Sequence, residues 1–275
     1  MNIETINRLN AINHAFYATV ADDFDQTRGT AWPGWQRLLP HLPMPLSVLD
    51  VGCGNGRFAL FLHENLVPAR QESPETAHSQ LLVTACAADR ATHYAANFPN
   101  GSSDSDSPLL TYHGVDSNRA LLTHAQTALA DKHDLSVQLE ERDIIENTPD
   151  SGEYDLVVLL GVLHHIPGYA RRQAFMRQLS TRVKPGGLLV FAAWRFYEYE
   201  RFRERITAWP DDLQIEPNDY LLDWRRGEFS LRYCHYTDDA EHSALVAATG
   251  LTEIETYRAD GLGGAANRYS ILRRN

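Results

Sequence analysis

Apolar residues recur along this chain in two rhythms. Ile6, Leu9, Ile12, Phe16 and Val20 fall at helical spacing, which predicts a helix over residues 1–20. Short apolar runs have the length of strands instead: "SVLDVG" (47–52), "TYHGVD" (111–116), "SVQLEERD" (136–143) and "YDLVVLLGVL" (154–163). The last is apolar throughout, as a central parallel strand covered on both faces must be. Helical segments alternate with them: "RFALFLHENL", "NRALLTHAQTALADKH" and residues 169–183, which Lys184-Pro185-Gly186-Gly187 should stop. A further helix over Trp35–Leu42 ends at the prolines 43 and 45. Strand "LLVFAAW", helix "DDAEHSALVAATG" and strands "TEIETYRA" and "NRYSILRR" complete the pattern. Strands alternating with helices predict an α/β fold with a mostly parallel sheet, helices on both faces and right-handed crossovers. Ligands of such sheets sit at the carboxyl ends of the strands.

Two stretches break the alternation. In residues 68–110, "ARQESPETAHSQ" and "PNGSSDSDSP" read as mobile loops around a short "LLVTACAAD" strand or helix, so this region is expected to be an insertion. Residues 195–237 read as a polar segment that could form a substrate lid, and residues 1–45 as an N-terminal helical segment added to one domain spanning 1–275.

Composition narrows the class. With 43% hydrophobic and 22% charged residues the 275-residue chain is globular, without an apolar run long enough for a membrane span. Its N-terminus lacks the apolar core of a secretory signal, and Cys53, Cys86 and Cys234 are too dispersed for a disulfide framework or a zinc ribbon. Both observations suggest a cytoplasmic protein. The net charge of −11 opposes non-specific binding to nucleic acid, although it leaves room for a local basic patch. The densest basic stretches, "RRQAFMRQ" and "RFYEYERFRERI", read as solvated helix faces.

Chemistry concentrates at the strand tips. "LDVGCGNGRFA" joins a strand to a helix through Gly52, Gly54 and Gly56, whose backbones can turn sharply and approach a ligand. Arg57 stands where a dinucleotide fingerprint has its third small residue. Asp50 would repel a pyrophosphate but suits an ammonium or sulfonium. A nicotinamide oxidoreductase is disfavoured on both counts. Asp116 and Asp143 end the next strands; the first could accept ribose hydroxyls, the second an adenine amino hydrogen.

Asp50-x-Gly52-x-Gly54-x-Gly56, Asp116, Asp143, "YDLVVLLGVLHHI" and "KPGGLLVF" together resemble a class I S-adenosylmethionine-dependent methyltransferase. The resemblance implies a seven-stranded Rossmann-like sheet whose last strand is antiparallel. It implies S-adenosyl-L-methionine, converted to S-adenosyl-L-homocysteine, with its methionine part near Asp50 and Gly52–Gly56. Ribose is then expected at Asp116 and Ser117, adenine between Asp143 and Ile144, and Leu160 beside the cofactor. Asp116 follows Asp50 by far more than the ~20 residues usual in the related dinucleotide fold, which is why an insertion is expected and why Asp89 is a weaker rival for the ribose.

"FYATVADDFDQTRGTAWPGW", "VLHHI" and "DYLLDWRRG…RYCHY" resemble the tRNA wobble-uridine methyltransferases that esterify 5-carboxymethyluridine. Phe24, Thr27, Arg28, Trp32 and Pro33 match that family's segment ahead of the fold. The resemblance implies tRNA as acceptor and, in eukaryotic members, a small zinc-binding activator subunit. A carboxylate acceptor is ionised at neutral pH and needs a cation to orient it rather than a base. Arg28 or Arg225 could supply that cation. Trp32, Trp224 and Tyr236 could exclude water or stack on a pyrimidine, and Tyr233 and His235 belong to the same stretch. Of His164 and His165, one is expected packed and one at the pocket rim, the latter a base if the acceptor is a hydroxyl or amine. No metal is expected, "DSDSP" included. Methylation of a small-molecule carboxylate or hydroxyl, and a non-catalytic cofactor-binding scaffold, are the alternatives.

Overall fold

The computed structural model describes residues 1–26, 29–68, 108–210, 212–225 and 228–275. Helix α1 (Ile3–Gln26) is followed by strand β1 (Leu46–Val51) and α2 (Arg57–Leu66), then β2 (Leu110–Asp116), α3 (Arg119–Leu129), β3 (Leu135–Glu141) and β4 (Tyr154–Leu160). Next come α4 (Tyr169–Ser180), β5 (Val183–Trp194), α5 (Glu200–Arg203), β6 (Ile206–Thr207), β7 (Asp219–Trp224) and β8 (Ser230–His235). Helix α6 (Asp239–Thr249), β9 (Thr252–Ala259) and β10 (Asn267–Arg273) close the chain. "LLVTACAAD", Cys86, Asp89 and most of the expected insertion lie outside the described residues.

Seven strands form one sheet in the order β3-β2-β1-β4-β5-β10-β9. The first five run parallel, and β10 is antiparallel to both neighbours. Chain direction reverses its progress across the sheet between β1 and β4, so their tips flank the switch point where such folds bind ligands. Both faces are covered. Trp35, Phe58, Phe61, Tyr112 and Tyr269 pack on one, and Phe175, Met176, Leu179 and Leu245 on the other.

Two expectations are corrected, and the segment after β5 gains a structure. The helix over Trp35–Leu42 is instead two short 3₁₀ turns, Pro33–Arg37 and Leu39–His41, because Pro40 lacks the N–H that an α-helix would need there. Lys184-Pro185-Gly186-Gly187 does not separate helix from strand; it is the irregular beginning of β5, whose register against β4 shifts at this point. The polar segment after β5 builds a second, three-stranded antiparallel sheet, β6-β7-β8. Its polar residues are buried in ion pairs. His235 lies between Asp219 (2.8 Å) and Glu241 (2.6 Å), and Glu241 also takes Arg172 Nε at 2.6 Å. Burial alone would lower the His235 pKa, but the two carboxylates raise it. Helix α1 packs on this sheet: Phe16 meets Trp224 edge-on, and Asn13 Oδ1 accepts from the Tyr233 N–H at 2.9 Å.

Candidate active site

The glycine loop is fastened to the neighbouring strand before any ligand arrives. Gly52 and Cys53 N–H groups donate to the Val115 carbonyl, and Gly54 N–H donates to Asp116 at 2.9 Å. Gly52 has a positive φ of +78°, and a Cβ there would collide with the Val162 side chain, so no other residue fits. Gly54, also left-handed, has open space where its Cβ would stand. It lines a cavity of about 130 Å³ together with Asp50, Gly52, Asp116, Ser117, Asp143, Ile144 and Leu160. Gly56 does not line it; it caps α2 and packs against Ala125 of α3.

The acids differ in state. Burial pushes the Asp50 carboxyl up to about 7, against the opposing hydrogen bond from the Tyr112 hydroxyl at 2.6 Å. Burial also raises Asp116, which accepts backbone N–H groups of Gly54 and Asn118. For Asp143 burial is outweighed: His14, Asn10 and the Ile145 N–H hold it at about 2. Asn10, Asn13, His14 and Tyr17 bring α1 over this cavity, and none of them stands out in the sequence as chemical. A signal was present, since Asn13 interrupts the buried stripe of Leu9, Phe16 and Val20.

A second cavity, about 370 Å³, shares Tyr17, Arg57 and Gly161 with the first. Trp32, Trp194, Trp224, Phe202 and His164 contribute to its walls, with Arg201, Arg205 and Arg232. Trp32 lies against Gly161, where a Cβ would be 3.0 Å from its ring, and Arg57 stacks over Trp32 at 4.5 Å. Trp35 is instead buried between Phe58 and Phe61. At the doorway the Tyr17 hydroxyl lies 2.8 Å from His165 Nε2, and His165 Nδ1–H donates to the Tyr233 carbonyl at 3.0 Å.

A methyltransferase-domain family model matches residues 25–256. The chain belongs to this family. It is an S-adenosylmethionine-dependent methyltransferase with the class I fold. It is 22% identical over 247 residues to the tRNA (carboxymethyluridine(34)-5-O)-methyltransferase of Mus musculus, covering 90% of this chain and 29% of that protein. With the Arabidopsis thaliana protein of the same activity it shares 24% over 182 residues, 66% of this chain and 32% of the other. The methyltransferase thus spans about a third of the length of these curated relatives. The fold is shared with an S-adenosylmethionine-dependent methyltransferase from Methanosarcina mazei at a TM-score of 0.58 and 14% identity, over 90% of this chain and 98% of that one.

The methyltransferase's first cavity fits its cofactor chemically. A buried Asp50 carboxyl bonded to a neutral hydroxyl and an exposed backbone turn at Gly54 suit a cationic nucleoside that presses on the loop. Other expected site residues sit elsewhere. Arg28 lies outside the described residues. Arg225 lines neither cavity and is paired with Asp223 at 2.8 Å. Tyr233 and His235 face the Asp219 side of β8 and are locked in its hydrogen bonds. Tyr236 packs beside Phe196 and donates to Glu198. Strand parity is the reason. Alternate residues point to opposite faces, so Arg232 and Cys234 turn toward the second cavity's side while Tyr233 and His235 turn away. His164, His165 and Cys234 bring possible ligand atoms within 4.8 Å of one another. Both His165 nitrogens already have partners, Tyr17 and the Tyr233 carbonyl, and burial pushes the Cys234 thiol up to about 11. Among the described residues no helix is long and apolar enough to cross a membrane.

Proposed function

We propose that this methyltransferase esterifies the carboxylate of 5-carboxymethyluridine at the wobble position of tRNA. The observation that carries the reading is the aromatic, arginine-lined cavity that shares Tyr17, Arg57 and Gly161 with the first. The distant likeness to methyltransferases of that activity supports it. Asp50, Gly52 and Gly54 hold the methionine part of the cofactor, Asp116 and Ser117 its ribose, and Asp143, Ile144 and Leu160 surround adenine. When bound, S-adenosylmethionine supplies a methyl group on a positively charged sulfur. Trp32, Trp194 and Trp224 wall a space suited to a planar base and keep water from the doorway, where opposite charges must be neutralised. A carboxylate needs no base at neutral pH, so alignment across the doorway is the main catalytic contribution. His165 then serves as a positioning residue for Tyr17.

A second reading is transfer to a small-molecule hydroxyl. The Tyr17–His165 pair favours it, because it places a proton acceptor at the doorway. Radiolabelled methyl transfer to total tRNA and to a panel of small acids and phenols separates the two. The expected label sits on tRNA and is released by mild alkali, as an ester must be. Alkali-stable label, or label on the small molecules alone, overturns the proposal.

A further inference from the structure

Arg232 is a buried cation with no counter-charge among the described residues. It stands on β8, 6% exposed, with its guanidinium carbon 4.8 Å from the ring centre of Trp194, 5.4 Å from Phe16 and 5.9 Å from Trp224. Its buried Nε has no hydrogen-bond acceptor among those residues. The other buried arginines are satisfied: Arg172 by Glu241 and the Ile166 carbonyl, Arg195 by Glu198 and the Thr237 carbonyl. Aromatic faces recover only part of what a guanidinium loses on leaving water. A fold that satisfies Arg172 and Arg195 and, among the described residues, gives Arg232 no carboxylate beside an open cavity has left a place for an anion.

The rim repeats the theme. Arg201 is exposed and Arg205 half-buried; both line the same cavity, and neither pairs with a carboxylate among the described residues, although the chain carries a net charge of −11. Asp260, a carboxylate of this cavity, is already occupied by Gly34 N–H, Asn267 and the Tyr269 hydroxyl. The uncompensated charge is therefore graded, with one guanidinium in the dry interior and two at the opening.

We propose that Arg232 is the specificity-determining residue that reads the acceptor's carboxylate, while Arg201 and Arg205 take the phosphates flanking the nucleotide that carries it. A planar fork is the geometry for a bidentate carboxylate, and exposed arginines around a stacking pocket are the means of holding single-stranded RNA. This assignment rests on the carboxylate reading above.

The test uses the full chain saturated with S-adenosylhomocysteine and two anticodon-loop oligoribonucleotides. One carries 5-carboxymethyluridine, the other its neutral isostere 5-carbamoylmethyluridine. Wild type is expected to prefer the carboxylate by about 10- to 100-fold. Arg232→Met should abolish that preference by weakening the carboxylate oligonucleotide far more than the isostere, with S-adenosylhomocysteine still bound. Arg201→Gln with Arg205→Gln should weaken both oligonucleotides alike and keep the preference. It should also flatten the log–log salt dependence by about 0.7 for every phosphate no longer neutralised. Preference surviving in Arg232→Met overturns the role of Arg232. Should that variant fail to bind S-adenosylhomocysteine, the exposed double variant still decides: loss of preference there moves carboxylate recognition to the rim and overturns the assignment. Wild type binding both oligonucleotides equally, or neither, overturns the carboxylate reading itself.

Discussion

A single side chain sets how the first cavity, the proposed cofactor site, responds to pH. Asp50 is pushed up to about 7 by burial, so between its ordinary range near 4 and about 7 the folded, unliganded protein keeps a proton there. A cationic ligand favours the ionised form and expels that proton. Cofactor affinity should therefore rise by up to about tenfold per pH unit below 7 and level off above it. Calorimetry in buffers of different ionisation enthalpy should find close to one proton released at pH 6 and little at pH 8.5. Asp50→Asn should bind more weakly and release none. The same proton release in Asp50→Asn would place the titration on another group. The strand-tip acids were readable because their roles depend on position at successive strand ends, which the local pattern reveals. Arg232 was not, because its neighbours in "RYCHY" look equally chemical, and only the pairing of β8 decides which face meets the cavity.

At the scale of elements, α6 and β10 are joined by His242, whose Nε2 lies 2.7 Å from the Ser270 hydroxyl while its Nδ1 is buried without a partner among the described residues. Burial, with nearby arginines, lowers this histidine to about 3. Its folded pKa is depressed, so the unfolded chain binds the extra proton first, and stability is complete above about 6.5 and falls as pH drops toward 3. Between pH 7 and pH 5 the protein should lose about 2 kcal/mol more than His242→Gln does by urea unfolding, since groups such as Asp50 that titrate with the opposite sign are common to both. An unaltered acid dependence in the variant would refute this account. The elements of the main sheet were legible because parallel strands buried on both faces must be continuously apolar. The second sheet was not, since β7 ("DYLLDW") and β8 ("SLRYCH") bury charged residues whose partners, Glu241 above all, come from a later helix. The turns after Pro33 were misread for a local reason: apolar spacing suggested helix, and Pro40 inside the run forbade it.

For the molecule as a whole, α1 connects the two sheets. Its Asn10 and His14 hold Asp143 beside the cofactor cavity, while Phe16 is fully buried against Trp224 of the second sheet. Phe16→Ala should cost about 3–5 kcal/mol of unfolding free energy, as truncation of a buried aromatic does. A loss below about 1 kcal/mol would mean that the helix and the second sheet are not mechanically joined.

Asn13 and Tyr233, which hydrogen-bond to each other, are 220 residues apart. On the ribosome the first helix is therefore made long before its partner strand, a wait of tens of seconds at about 5–20 residues per second. During that interval Phe16 and Val20 lack Trp224, the buried partner of their cluster. Helix α1 must meanwhile take provisional packing on the half-made sheet, and the proposed acceptor cavity cannot close until β8 supplies Arg232.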